Sequence, residues 1–129
     1  MMKYSKDFTD KNLSRFGDSL VNFIFSLALS RYLGYPNAGR VPNASLTIGL
    51  EKAGLLHCVP PRTDKHGKGD IAEAIIAYAW LEGEMSIDEA VDILCKNFSS
   101  DITHPSRKKE VIGSAFGELL KIIKERLAL

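Results

Sequence analysis

The sequence predicts an all-α domain of about five helices. Apolar residues recur at spacings of three and four in every long apolar segment, helix-capping residue types bracket those segments, and no stretch alternates apolar with polar residues as a strand would. At 129 residues, 45% hydrophobic and 26% charged, the chain suits one core rather than two. A domain of this size buries roughly two thirds of the surface its unfolded chain exposes, so it needs no covalent staple. Cys58 and Cys95 are therefore expected as free thiols in a reducing, cytoplasmic setting.

The first helix is expected from about Asn12 to Leu33, with Leu13, Phe16, Leu20, Phe23 or Ile24, and Leu27 inward and Gly34 at its end. Its apolar character from Val21 to Leu29 extends round much of the circumference, which predicts a path through the middle of the bundle. Asn22 and Ser26 interrupt that run and Asp18 precedes it, so it falls short of a membrane span. The segment leading into it, MMKYSKDFTDKNLSRFGDS, carries acids where a signal peptide is basic.

In VPNASLTIGLEKAGL a second helix begins at Pro42 or Asn43, turns Leu46 and Leu50 inward and leaves at Gly54. Two consecutive prolines and two closely spaced glycines mark HCVPPRTDKHGKGD as a loop, one that gathers Arg62, Lys65, His66 and Lys68 against Asp64. Asp70 is expected to cap the next helix, whose inner face is Ile71, Ala74, Ile75, Tyr78 and Leu81 and which Gly83 ends. MSIDEAVDILCKNF follows, with Ser86 and Glu89 as a capping box and Ile87, Val91 and Leu94 as its apolar side. The last helix runs from about Ser106 to Leu127, with Val111, Phe116, Leu119 or Leu120, and Ile123 inward.

Seventeen Lys or Arg against sixteen Asp or Glu give a formal charge of +1. That excludes a chain coated in phosphate contacts but permits a local basic stripe. Asp18 lies in the most apolar helix, where a carboxylate needs a cation, a donor or water. Asp70 and Glu73, three apart, share a helix face. If the two helices pack antiparallel, the three carboxylates converge on a hard cation such as Mg²⁺. A bound metal that acidifies water and polarises a phosphoryl group performs phosphodiester hydrolysis. Ordinary roles stay open beside this one: Asp18 near a helix start, Asp70 as a cap, and the Arg62–Lys68 stretch as a solvated loop in which His66 alone identifies no general base.

NLSRFGDSLVNFIFSLALSRYL resembles the signature helix of the ribonuclease III catalytic domain, roughly E-x-L-E-F-L-G-D-x-x-L followed by apolar residues. KGDIAEAIIAYAWLEG resembles that family's second signature, K-x-x-A-D-x-F-E-A-L-I-G-A-x-Y-L, and the two with the linking RVPNASLTIGLEKAGL cover about 70 residues. The resemblance implies a single helical endonuclease domain over residues 1–129 with no double-stranded RNA-binding domain, similar in layout to the compact Mini-ribonuclease III. It also implies hydrolysis of double-stranded or structured RNA by a homodimer with Mg²⁺, for which Mn²⁺ substitutes, and with no membrane association. By motif, Asp18, Asp70 and Glu73 become the catalytic and metal-binding acids, and Arg62, Lys65, His66 and Lys68 the RNA contacts. Arg15, Phe16 and Leu20 fall near the implied dimer interface.

Two positions depart from the pattern. Ser14 stands where the family has an acid four residues before Asp18, leaving its hydroxyl only to orient a metal-bound water, and Lys11 replaces an earlier glutamate. Two alternatives remain open. Ser14 favours a catalytically silent relative that binds RNA or a ribonucleoprotein, and the near-neutral charge favours a helical interaction module unrelated to RNA.

Overall fold

The computed structural model describes residues 4–129, and among them it contains five α-helices and no strand. These are α1 (Lys11–Leu33), α2 (Asn43–Lys52), α3 (Lys65–Leu81), α4 (Ile87–Lys96) and α5 (Lys108–Leu127), with short 3₁₀ turns at Leu56–Cys58 and Ser100–Thr103. Residues 1–3, the start of the segment that is unlike a signal peptide, lie outside the described residues. No described helix is long and apolar enough to cross a membrane. Cys58 and Cys95 are free thiols.

The central helix is α3, not α1. Every residue from Ile71 to Ala79 is buried, because four alanines, Ala72, Ala74, Ala77 and Ala79, leave room for neighbours on all sides. α1 and α2 pack on α3, α5 packs chiefly on α2, and α4 bridges α1 and α5. α1 accordingly buries only one side, Leu13, Leu20, Val21, Ile24, Phe25 and Ala28, while Phe16 and Leu27, expected inward, are exposed, and of Phe23 and Ile24 it is Ile24 that turns inward. Its apolar circumference is a surface feature.

α1 starts where the Asp10 carboxylate accepts the Asn12 N–H at 2.8 Å, and it ends at Gly34 in the left-handed region (φ 82°). α3 begins six residues before the expected start. Asp64 accepts the Gly67 N–H at 2.8 Å and caps the helix, so Lys65 to Gly69 are helical and Asp70 lies in the second turn rather than at a cap. A Cβ at Gly69 would stand 2.9 Å from Asn43 Oδ1 of α2, the movable tip of that side chain. Only half of the expected capping box forms at α4. Ser86 Oγ accepts the Glu89 N–H at 3.1 Å, but the Glu89 carboxylate takes both arms of Arg126 instead, at 2.6 and 2.5 Å. α5 begins two residues later than expected; Phe116, Leu119, Leu120 and Ile123 are buried and Val111 is half-buried.

The strap between α1 and α2 is stitched to α1 by a ladder of polar side chains. Ser30 Oγ donates to Asn37 O (2.9 Å) and accepts from Asn37 N (2.8 Å). Ser26 Oγ does the same for Gly39 (3.2 and 3.0 Å). Asn22 Oδ1 accepts from Val41 N at 2.7 Å. Four residues of helix rise ~6 Å and two residues of extended chain span ~6.6 Å, so the ladder keeps its register while the strap runs back along α1.

α1 and α3 come closest at Gly17, where a Cβ would stand 2.3 Å from the carbonyl oxygen of Glu73. Alanine in place of glycine favours a helix by about 1 kcal/mol, but a contact with backbone cannot be relieved by a rotamer change and overpacking costs ~1–3 kcal/mol. Gly17→Ala is therefore expected to lower stability in urea denaturation by up to about 2 kcal/mol. A gain in stability would show that the two helices stand further apart.

Candidate active site

A cleft of about 450 Å³ opens between α1, α3 and the strap. Its walls carry the acids Asp18, Asp70 and Glu73, the hydroxyl of Ser14, and the cationic side chains Lys11, Arg15 and Arg40 together with His66. Each acid is placed by a helix. Asp18 follows the glycine at which α1 meets α3, Glu73 lies at that contact and is 5% exposed, and Asp70 stands one turn earlier on α3.

Burial pushes the Glu73 carboxyl up from an ordinary 4.5 to about 8. A hydrogen bond with Asp18 adds to the rise, as do the negative charges of Asp18 and Asp70, while Arg40 opposes it. At neutral pH Glu73 therefore keeps its proton. Asn22 Nδ2 donates to Asp18 at its backbone oxygen (2.9 Å) and Oδ1 (3.1 Å), and Arg40 Nη2 pairs with the same Oδ1 at 3.4 Å. Asp70 pairs with Lys11 at 3.8 Å.

The three acids and Ser14 all line the one cleft, yet among the described residues no three His, Cys, Asp or Glu side chains form a group able to hold a metal ion. The donor set nevertheless fits Mg²⁺, a hard ion usually held by one or two carboxylates with waters and substrate phosphates completing its shell. Asp18 and Glu73, both in the wall of the cleft, would supply those two. The Ser14 hydroxyl donates to Lys11 O at 3.2 Å within α1.

Of the four basic residues expected to form one RNA-binding loop, His66 reaches the cleft, with Asn43 donating to its Nδ1 at 2.8 Å. Lys65 and Lys68 belong instead to the first turns of α3, and Arg62 occupies the left-handed region (φ 64°) in the turn before it. None of these three lines the cleft. Sequence reasoning missed Arg40 and Asn22. Asn22 had a signal, its spacing of four from Asp18 and Ser26, whereas Arg40 had none beyond being a lone cation in a turn-rich segment.

A search of curated proteins finds none that matches the chain. A family model described as Ribonuclease III matches residues 11–129, from the first residue of α1 to the end of the chain. Two helices that carry the acidic signatures and meet at Gly17 agree with that match, and the chain belongs to the ribonuclease III family.

Proposed function

We propose that the protein is a Mg²⁺-dependent endoribonuclease that hydrolyses phosphodiester bonds in double-stranded or structured RNA. The observation that carries this reading is the buried Glu73 carboxyl pressed against Asp18 at one wall of an open cleft. A carboxyl held protonated by burial and neighbouring acids is poised to exchange its proton for a cation. Asp18 and Glu73 would hold the ion, with Asp70 in the same cleft beside them. When bound, such an ion would acidify a water and neutralise charge developing on the phosphate. Arg62, Lys65, His66 and Lys68 contact phosphates flanking the scissile bond, which suits a duplex recognised by shape and backbone.

The exposed Phe16, Phe23 and Leu27 of α1, with Trp80 stacked beside Phe16 at 5.8 Å between ring centroids, form the apolar surface on which a second copy docks. The homodimer places two clefts on one duplex. Free thiols and the absence of a membrane-crossing helix among the described residues support a cytoplasmic setting for this work. A second reading, a catalytically silent RNA-binding relative, is favoured by the uncharged Ser14 and by Lys11 resting on Asp70.

Incubation with a labelled RNA duplex and Mg²⁺ is expected to give metal-dependent cleavage by a dimer; a monomer in sedimentation at tens of micromolar contradicts the assembly. Asp18→Asn and Glu73→Gln should each cut the rate on the order of 100-fold or more, since losing an outer partner of a metal ligand already costs 10–100-fold. Lys65→Ala with Lys68→Ala should weaken duplex binding and flatten its salt dependence. Binding without cleavage in Mg²⁺ or Mn²⁺ would establish the silent reading.

The raised Glu73 pKa also fixes a pH response. Below pH 4.5 the group is protonated in both folded and unfolded chains; between 4.5 and about 8 the unfolded chain releases the proton and the folded one keeps it. Without divalent ions, stability should thus fall as pH rises through that window and level off above it. Urea midpoints at pH 5 and pH 8 in chelator test this, and Glu73→Gln should remove the Glu73 part of the fall. An unchanged pH response in that variant would show that Glu73 titrates normally.

A further inference from the structure

Arg40 is held over the acids by more of the structure than a surface counter-ion requires. Its neighbours on both sides are bonded to α1, Gly39 through Ser26 and Val41 through Asn22. Asn22 also donates twice to Asp18, so one side chain sets the position of the acid and the position of the strap that carries the arginine. The backbone of residue 40 is thereby registered against residue 18, although 22 positions separate them in the chain. The side chain itself is free to move. Its head is 78% exposed and meets Asp18 through a single contact at 3.4 Å. Exposed pairs of this kind contribute little to stability, so a registered backbone carries a guanidinium that is easily released.

We propose that Arg40 is a substrate-binding residue of the cleft, the one that takes the phosphate group of RNA beside the acids. This rests on the endoribonuclease reading above. Arg40 rests on Asp18 through that one contact. A dication held by Asp18 would compete with it for the same carboxylate oxygens, leaving the guanidinium for the other anion entering the cleft, the phosphate, which its planar fork matches with two donors. Lys11 is the weaker phosphate ligand, because its 75% exposed ammonium pairs with Asp70 and offers a point charge with no fork. Asn22 is the positioning residue that keeps Arg40 and Asp18 in register.

The test uses Arg40→Ala and Arg40→Lys with two readouts besides cleavage: Mn²⁺ binding followed by electron paramagnetic resonance, and fluorescence anisotropy of a labelled RNA duplex across a salt series. Arg40→Ala is expected to raise the duplex Kd about tenfold and to reduce the slope of log K against log salt by about 1. Mn²⁺ should bind it as tightly as the wild type or more tightly, because a competing cation is gone. Arg40→Lys should recover the salt slope but only part of the affinity. Unchanged duplex affinity and salt slope in Arg40→Ala would overturn the proposal and leave Arg40 a counter-ion of Asp18. Weakened Mn²⁺ binding would overturn it as well, making Arg40 a support of the metal site. A wild-type protein that binds neither Mn²⁺ nor duplex RNA would sink the endoribonuclease reading and this proposal together, whereas wild-type cleavage beside an unaffected Arg40→Ala sinks the proposal alone.

Discussion

The structure turns on the contact between α1 and α3 at Gly17 and Glu73. Without a side chain at 17, the backbones approach closely enough that a Cβ would collide with the Glu73 carbonyl. The same approach buries the Glu73 carboxyl beside Asp18. An ionised carboxylate in that place costs several kcal/mol unless it is paired, and holding a proton relieves the cost. Chemistry and packing are joined at one point: the glycine that lets the helices meet is the residue before the acid that Glu73 meets.

The surroundings divide the work. Acids ride on helices, whose rigidity suits groups that must be placed to a fraction of an ångström, and α3 is locked by burial from Ile71 to Ala79. The cations that face those acids, Lys11 and Arg40, are exposed and loosely paired. A formal charge of +1 is thus compatible with a polyanionic substrate, because the balance is local: positive heads at the mouth of a cleft, negative groups within it. Membership of the ribonuclease III family and the substitutions at Ser14 and Lys11 meet in this cleft. The fourth acid of the signature is replaced by a hydroxyl that bonds within its own helix, and an ammonium stands where the earlier glutamate would be.

Much of this was legible in the sequence, and the exceptions have physical causes. Helical periodicity located α1, α2, α4 and α5 to within two residues at their starts, and Asp18, Asp70, Glu73 and Ser14 do share one cleft. The start of α3 was hidden because two glycines argue against a helix by propensity, while Asp64 caps one. Leu13, Leu20 and Ile24 of α1 are buried as expected, but Phe16 and Leu27 and the central placement of α1 were misjudged, because an apolar circumference does not say which side meets a neighbour. Asn22 and Ser26 read as interruptions of an apolar run, and their purpose appears only with the strap whose backbone they bind. Arg40 has no periodic signal at all, since its place depends on that ladder.

The central claim is that Asp18 and Glu73 form a divalent-cation site at the α1–α3 contact. Anomalous diffraction from a crystal soaked in Mn²⁺ at a pH above 8, with the cleft open to solvent, tests it most directly. The account predicts one strong peak in the cleft within coordination distance of both carboxylates. A map with no peak there, or a peak that touches Asp70 and neither Asp18 nor Glu73, would contradict it.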